Sequence, residues 1–311
     1  MNYIDGKTVR SAVPYKRWID TMEKSFLLEK GKDYIMPERT HVNFDNNTLL
    51  LMPCIAGRYF SIKLITLFTG NKRAGKAPLK GLVILNDRND AEPLSALDGP
   101  AITAMRTAAV GSCAVRHLSP PESSYLGIIG LGIQGLHQAL FACSERNISE
   151  LTIFDKHDES YPGFMRSFNA EYPDIKINKA RNNRELCEKA EIIITTTNAT
   201  EPVLPDDEKL LTGKIIIGIG SYKKNMREFP DSVYKLAGNI YVDTMHGLKE
   251  SGDLIYPLSK GLLTESDILG ADHFLMKEKK ELGSTRVFKS VGTALFDLLG
   301  SVLVYETLYM Q

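Results

Sequence analysis

The sequence predicts an α/β protein in which a doubly wound parallel sheet is joined to a second, discontinuous α+β domain. The chain has 311 residues, which exceeds one ordinary domain and suits two. From Tyr125 onward, short and continuously apolar runs alternate with helix-like stretches, a pattern typical of parallel strands that helices cover on both faces. Paired prolines in SPPESS, at 119–124, interrupt both helix and strand. We therefore expect a doubly wound domain over 119–290 and a second domain made of 1–118 and 291–311.

The segment before the prolines predicts two helices with strands between them. Residues 14–30 place Trp18, Met22 and Phe26 four apart, as on the buried face of an amphipathic helix. Strand-like runs follow in the order RTHVNF, TLLLMPCI, RYFSIKLITLF and GLVILND. An alanine-rich helix then begins near Gly99. The C-terminal segment VGTALFDLLGSVLVYETLYM predicts a long apolar helix that returns to this first domain.

The segment after the prolines predicts six strands of the parallel sheet. Their apolar runs are YLGIIG, LTIFD, IKINKA, EIIITTT, KIIIGIG and NIYVDT, each followed by a helix-like or turn-rich stretch. Strands of this kind require crossover connections, which the intervening stretches are long enough to supply.

Charge and cysteine content limit the classes of partner. Lysine and arginine number 38, as do aspartate and glutamate, so the formal net charge is zero and gives no argument for a nucleic acid or an acidic membrane. The first 118 residues carry 17 basic residues against 11 acidic ones, which favours a small anionic ligand there. The four cysteines lie far apart without metal-ligand spacing, so we expect reduced thiols and no metal site. No signal peptide or membrane span is visible, and we expect a cytoplasmic protein.

A dinucleotide fingerprint begins the second domain. Gly130, Gly132 and Gly135 have the G-x-G-x-x-G spacing, and the triad ends an apolar run and opens a helix through Ile133 and Gln134. Asp155 ends the next run, 20 residues after the third glycine, where a carboxylate accepts hydrogen bonds from the adenosine ribose.

These features together predict a Rossmann domain that binds NAD. Lys156 and His157 follow Asp155 directly, and their basic side chains keep NADP as an alternative. Thr196, Thr197 and Asn198 follow another apolar run, at the strand end where ligands bind in such sheets. We expect these residues either to line the cofactor crevice or to form only the end of a strand and a turn.

Several motifs together resemble the ornithine cyclodeaminase/mu-crystallin family. They are RTAA at 106–109, IIGLGIQGLHQ, GIGSYKKNMRE at 218–228, YVDTMHGLKESGD at 241–253 and KSVGTALFDL at 289–298. The resemblance implies a homodimer with an N-terminal substrate and dimerisation domain, which the C-terminal helix completes, and a Rossmann domain. It also implies an amino or imino acid substrate and a nicotinamide cofactor.

The resemblance places the carboxylate-binding cations on Arg39, Lys63 and Arg106. An arginine fork holds a carboxylate through two hydrogen bonds, and a lysine reaches the carboxylate or the reacting nitrogen. Lys63 lies in an apolar strand, where a charge needs a partner or a function. The alternatives are an outward-facing lysine at Lys63 and a surface or interface salt bridge at Arg106.

The resemblance also suggests the remaining site residues. Thr107 corresponds to a phosphate-contacting threonine, and Ser290, Val291 and Gly292 correspond to a second cofactor contact on the nicotinamide side. Movement of a proton on the substrate nitrogen requires an acid/base group. Asp231 is the first candidate for that role and Glu228 the second, although a shift of one residue would place the position on Ser232.

Three functions follow from the resemblance. The first is an ornithine cyclodeaminase-like conversion by hydride transfer at Cα, which turns ornithine into proline and ammonia. The second is an NAD(P)H-dependent ketimine or pyrroline-2-carboxylate reductase, or an amino-acid dehydrogenase. The third, from another class, is a non-catalytic binder of a small ligand of the mu-crystallin type. The three cations and the dinucleotide fingerprint together favour an enzyme over the binder.

Overall fold

A computed structural model describes residues 1–31, 33–68, 70–71, 75–276 and 284–310. The chain forms two compact units. The first unit consists of Met1–Ala109 and Gly292–Gln311, and the second of Val110–Val291. The first change of unit lies inside one helix, Gly99–Leu118, whereas the sequence placed it after residue 118. The two prolines therefore mark the end of that helix rather than the change of unit, because a continuous helix can serve two cores.

The first unit contains a mixed sheet of seven strands within its described residues. Strand order is β1-β7-β6-β5-β4-β2, with β3 also paired to β4, and all neighbours are antiparallel except β1 and β7. The strands are β1 (Asn2–Ile4), β2 (Tyr34–Ile35), β3 (Thr40–Phe44), β4 (Asn47–Ala56), β5 (Tyr59–Phe68), β6 (Leu79–Asp87) and β7 (Pro93–Asp98). The helices that begin in this unit are α1 (Gly6–Ser11), α2 (Tyr15–Gly31), α3 (Gly99–Leu118) and, at the C-terminus, α11 (Ala294–Tyr309).

Helix α11 packs on one face of this sheet, and α2 packs against α11. Trp18, Met22 and Phe26 are buried on α2, which confirms the predicted amphipathic helix. Helix α11 packs against α2, β4 and β5. Although α11 is strongly apolar, no helix among the described residues has the length and apolar character needed to cross a membrane.

The second unit is a doubly wound domain, as predicted. Its described residues form an eight-stranded, wholly parallel sheet in the order β10-β9-β8-β11-β12-β15-β13-β14. The strands are β8 (Tyr125–Ile129), β9 (Glu150–Phe154), β10 (Lys176–Lys179), β11 (Ile192–Thr195), β12 (Ile215–Gly218), β13 (Ile240–Val242), β14 (Ile268–Gly270) and β15 (Arg286–Lys289). All six predicted runs form strands of this sheet, whereas β14 and β15 were not predicted.

Short helices connect these strands. They are α4 (Ile133–Glu145), α5 (Tyr161–Glu171), α6 (Asn183–Lys189), α7 (Glu208–Leu211), α8 (Asp231–Leu236), α9 (Gly252–Ser259) and α10 (Asp272–Met276), with 3-10 turns at Asp158–Ser160, Met245–Lys249 and Glu265–Asp267. Because every strand pair is parallel, the carboxyl ends of the strands meet along one edge, which is where open α/β sheets bind ligands.

Candidate active site

The glycine turn between β8 and α4 has the geometry of a phosphate site. Gly130 has φ of 95°, in the left-handed region that favours glycine. A Cβ on Gly135 would lie 2.0 Å from the carbonyl oxygen of Gly130, so only glycine allows this close packing of turn and helix. Gly132 caps α4 without a side-chain hydrogen bond, and a Cβ there would point into open space. The first N–H groups of α4, beginning at Ile133 and Gln134, can therefore receive a phosphate.

Asp155 follows β9 and is tied to the glycine turn. Its Oδ2 accepts a hydrogen bond from the backbone N–H of Leu131 at 2.7 Å, and its Oδ1 accepts one from His157 at 2.9 Å. Each carboxylate oxygen keeps a second lone pair for a ribose hydroxyl. Lys156 and His157 are exposed beside it.

The predicted threonine run splits into different roles after β11. The hydroxyl of Thr196 donates to the carbonyl oxygen of Gly130 at 2.8 Å and so supports the glycine turn. Thr197 donates from its N–H and its hydroxyl to one oxygen of Glu228, at 2.7 and 2.8 Å. Asn198 is exposed. Thr196 and Thr197 thus tie the end of β11 to the glycine turn and to Glu228, and a cofactor contact by this run stays a prediction.

Glu228 organises the carboxyl ends of two strands. It is fully buried, and besides Thr197 it accepts hydrogen bonds from the N–H groups of Gly220 and Ser221, at 2.8 and 3.2 Å. Burial raises the pKa of this carboxyl above its usual range, while nearby Lys289 opposes that rise. Lys289 Nζ lies 3.3 Å from Asp253 and 3.8 Å from Glu228, with all three side chains buried. The sequence offered Glu228 only as a second acid/base candidate.

The segment after β15 is held in the same way. Ser290 donates from its hydroxyl to Asp243 at 2.6 Å, and the N–H of Val291 donates to the same carboxylate at 3.1 Å. Because β15 lies between β12 and β13, this segment emerges at the ligand-binding edge of the sheet.

The first unit holds a cluster of cations around one buried carboxylate. Lys63 Nζ and Arg106 Nε each lie 3.0 Å from the same oxygen, Asp297 Oδ1. Lys63 is 3% exposed and Arg106 is 6% exposed, so neither is the surface residue that was its alternative. On β5, Lys63 points toward the buried face of the sheet, which it shares with Ile65. The sequence missed Asp297, whose signal was an acidic residue in the apolar first turn of the C-terminal helix.

Arg39 joins this cluster through the backbone of Gly292. Its Nη2 donates to the carbonyl oxygen of Gly292 at 2.7 Å. Gly292 has φ of 77°, and a Cβ there would lie 2.3 Å from Nη1 of Arg106. Gly292, predicted as a cofactor contact, therefore organises the two arginines. Arg39, Lys63, Arg106 and Asp297 form what we call the cation cluster.

The cation cluster carries three positive groups and one negative group. Burial lowers the pKa of Lys63 to about 8, and the charges of Arg106 and Arg39 act in the same direction. The charge and hydrogen bond of Asp297 oppose this shift. The excess of positive charge in the cluster favours the binding of an anion. A bound carboxylate would supply a second negative charge and so favour a protonated Lys63.

Two other predicted residues have defined positions. Asp231 is the first residue of α8 and forms an ion pair with Arg227, whose guanidinium stacks over the ring of Tyr256 at 3.5 Å. This pairing gives Asp231 a structural partner in the segment just before α8. Thr107 follows Arg106 on α3 and is buried.

The geometry can be compared with known proteins. The model of the ornithine cyclodeaminase/mu-crystallin family matches residues 6–311. A Delta(1)-pyrroline-2-carboxylate reductase of Bacillus cereus is 36% identical over 289 residues, which cover 88% of this chain and 86% of the relative. The ketimine reductase mu-crystallin of Rattus norvegicus is 32% identical over 248 residues, which cover 79% of this chain and 75% of the relative.

A solved structure agrees with this grouping. Thermococcus litoralis Delta(1)-pyrroline-2-carboxylate reductase, solved in complex with NADH and L-proline, has a TM-score of 0.90 and 27% sequence identity. The match covers 99% of this chain and 97% of that structure. Fold, sequence and motifs agree, and the chain belongs to the ornithine cyclodeaminase/mu-crystallin family.

Proposed function

We propose that this protein is an NAD(P)H-dependent reductase of a cyclic imino acid of the Δ1-pyrroline-2-carboxylate type. The observation that carries the proposal is the cation cluster, in which buried Lys63 and Arg106 share one oxygen of Asp297 and part-buried Arg39 adds a third positive charge. A cyclic imino acid offers a carboxylate for the arginines and, next to it, a nitrogen that must gain a proton. The 36% identity to the Bacillus cereus reductase supports this choice.

The cation cluster would hold the substrate and supply the proton. Arg39 and Arg106 bind the substrate carboxylate, and Asp297 keeps Lys63 beside them. Lys63 donates a proton to the ring nitrogen while the C=N bond becomes a C–N bond. Solvent then returns the proton to Lys63. We propose Lys63 rather than Asp231 as the proton donor, because Asp231 is engaged by Arg227.

The second unit would hold the cofactor. The pyrophosphate would bind at Gly132 and the N-terminus of α4, and Asp155 would bind the adenosine ribose and favour NAD over NADP. Thr107, Ser290 and Val291 remain the proposed contacts nearer the nicotinamide. When bound, the reduced cofactor supplies the hydride that adds to the imine carbon.

We also propose a homodimer formed through the outer face of the first unit's sheet. This face carries apolar residues on three neighbouring strands, with Leu51 opposite Leu64 and Leu64 opposite Leu82. Leu64 is 39% exposed, and Val42 and Phe44 on β3 are exposed above 40%. A continuous apolar sheet face of this kind is typical of an interface, and a second copy would cover it.

The proposed surroundings of the protein follow from the same features. The substrate is a small anionic imino acid, and nothing in the balanced charge calls for a nucleic acid. Burial raises the pKa values of Cys54, Cys143 and Cys187 to about 12, which supports unreactive thiols. The proposed compartment is the cytoplasm, where free cysteines such as these stay reduced.

A substrate panel tests the proposed function. Purified protein is incubated with NADH or NADPH and Δ1-pyrroline-2-carboxylate, and separately with NAD⁺ and L-ornithine. We expect cofactor oxidation and proline in the reaction with Δ1-pyrroline-2-carboxylate, and no ammonia in the reaction with L-ornithine. Ammonia and proline from ornithine would identify a cyclodeaminase instead, and silence across amino and imino acids would identify a binder.

Lys63→Met tests the assigned proton donor. We expect a loss of at least ~100-fold in kcat/KM for the imino acid, because general acid catalysis and a carboxylate contact are both removed. The control is Lys24→Met, which removes an exposed lysine from α2 of the same unit and should retain activity. Equal activity of the two variants would contradict the assignment.

A further inference from the structure

We propose that Asp297 is a positioning residue that holds Lys63 protonated and in place for proton donation. This inference rests on the proposed function and adds a residue from α11 to the site. Asp297 acts through Lys63 and Arg106 rather than by reacting itself. Three observations on the described residues carry it: the shared oxygen, the unpartnered oxygen and the charges around Lys63.

The shared oxygen fixes two cations from different elements. Asp297 Oδ1 lies 3.0 Å from Nζ of Lys63 on β5 and 3.0 Å from Nε of Arg106 on α3. Arg106 uses Nε for this bond, so Asp297 does not occupy its two terminal nitrogens. Asp297 lies in the first turn of α11, where the partial positive charge of the helix end stabilises a carboxylate.

Helix α11 holds this carboxylate rigidly. One turn after Asp297, a Cβ on Gly300 would lie 2.8 Å from the ring of Trp18, so α11 approaches α2 closely at this point. Trp18 and Asp297 are both fully buried. A displacement of the carboxylate would therefore require the helix to move, and the position of Lys63 is set by the packing of the core.

The second oxygen of Asp297 distinguishes it from a structural carboxylate. Asp297 Oδ2 is buried and has no hydrogen-bond partner within the described part of the chain. By contrast, Asp87 in the same unit has both oxygens engaged, Oδ2 by Arg58 and Oδ1 by the N–H of Asn89. A buried acceptor without a partner costs free energy, which is typical of a functional site rather than of a structural ion pair.

The charges around Lys63 explain how Asp297 affects the pKa of that lysine. Arg39 and Arg106 both disfavour a charged Lys63, and burial disfavours it further, so the pKa of Lys63 falls to about 8. Asp297 is the negative group that opposes them, and the thiol of Cys54 on β4 faces Asp297 as a neutral group with a raised pKa. Loss of the Asp297 charge would therefore lower the pKa of Lys63 further. Lys63 would then be neutral at a lower pH and could not donate a proton there.

The test is the pH profile of Asp297→Asn, with Asp87→Asn as control. Reduction needs protonated Lys63, so wild-type kcat/KM falls as the pH rises through the pKa of Lys63. In Asp297→Asn this fall should move at least about one pH unit lower, because a negative charge at 3.0 Å is lost. At pH near 8 kcat/KM for the imino acid should fall at least about fivefold, because the protonated fraction of Lys63 drops from about a half to about a tenth, while KM for NADH stays within about twofold. Asp87→Asn should keep the wild-type profile even if it lowers Tm.

Asp297→Glu keeps the test decisive if the asparagine variant does not fold. This variant retains the negative charge but moves the carboxylate. The pH at which kcat/KM falls should therefore stay within about half a unit of the wild-type value, while KM for the imino acid rises. An unchanged profile in Asp297→Asn, or a profile in Asp297→Glu that shifts as far as expected for asparagine, would overturn the proposal.

A binding measurement separates this proposal from the proposed function. Calorimetric titration with pyrrole-2-carboxylate, a planar carboxylate that is not reduced, should show proton uptake by Lys63 on binding near pH 8. At pH near 7, Asp297→Asn should take up more protons than wild type, because its Lys63 is less protonated beforehand. A protein that reduces no cyclic imine would refute the proposed function. Equal proton uptake by wild type and Asp297→Asn would refute the proposed role of Asp297.

Discussion

At the scale of single residues, the cation cluster joins side chains that lie far apart in the chain. Lys63 is conspicuous in an apolar strand, and the structure buries it beside Arg106. Asp297 could not be paired with them from the sequence, because it lies 234 residues from Lys63 and 191 from Arg106. Only the fold brings these residues together, and no local spacing encodes that contact.

Gly292→Ala should impair the cation cluster. The new Cβ would lie 2.3 Å from Nη1 of Arg106 at a residue with φ of 77°, so the guanidinium must move. We expect KM for the imino acid to rise at least ~10-fold, as measured by steady-state kinetics.

The control for this prediction is Gly57→Ala. Gly57 also has a positive φ, of 56°, but its Cβ would meet nothing within 4 Å. That variant should lose about 1 kcal/mol of unfolding free energy and keep its KM. Equal effects on KM in the two variants would show that backbone strain, and not displacement of Arg106, is responsible.

At the scale of elements, strands and helices with regular patterns were predictable. The six apolar runs and the amphipathic α2 formed as expected. Strands β14 and β15 were missed because they are three and four residues long and carry no extended apolar run. The bonds that hold the ligand-binding edge were also missed, since Glu228 receives its hydrogen bonds from residues on two separate loops.

Gly135→Ala should weaken cofactor binding through the glycine turn. Its Cβ would lie 2.0 Å from the carbonyl oxygen of Gly130, which forces the turn and α4 apart. We expect the Kd for NADH, measured by fluorescence titration, to rise at least ~10-fold. Gly163→Ala is the control: it lies in α5 with nothing near its Cβ, and it should leave Kd unchanged and raise stability by up to ~1 kcal/mol.

Glu228→Gln should also weaken the cofactor site, by loosening the loops after β11 and β12. The amide of glutamine has only one acceptor oxygen, so two of the four N–H and O–H groups that donate to the carboxylate would lose their acceptor and face an NH₂ group. We expect KM for NADH to rise about 5- to 20-fold, with a smaller change in KM for the imino acid.

Glu191→Gln provides the comparison for this prediction. Glu191 accepts two backbone N–H bonds, from Ser124 and Tyr125, at the opposite edge of the same sheet. It should change Tm without changing KM for NADH. A similar loss of NADH affinity in both variants would assign Glu228 a general role in stability instead.

At the scale of the whole molecule, the two-part organisation was predictable but the change of unit was not. Paired prolines stood out in the sequence, yet α3 continues through the change of unit and ends before them. Helix continuity depends on the cores on which the helix packs, and no residue near position 109 signals the transition. The resemblance at the level of motifs extended over nearly the whole chain, and the family match confirms it.

Leu64→Asp should convert the proposed homodimer into monomers. The substitution places a charge in the middle of the apolar outer face of β4, β5 and β6. Light scattering coupled to gel filtration should show twice the monomer mass for wild type and the monomer mass for the variant. Tyr125→Lys, a substitution at an exposed apolar residue of the second unit, should remain dimeric. A monomeric wild-type protein would refute the proposed interface.

The most direct test of the proposed function follows the hydride itself. The protein is incubated with Δ1-pyrroline-2-carboxylate and NADH that carries deuterium at the transferable position of nicotinamide C4, and the product is analysed by mass spectrometry. We expect the wild-type protein and Lys24→Met to form proline with one deuterium at Cα, and Lys63→Met to form it at least ~100-fold more slowly. Failure of the wild-type protein to form labelled proline, or equally fast labelling by Lys63→Met, would refute the proposed reduction.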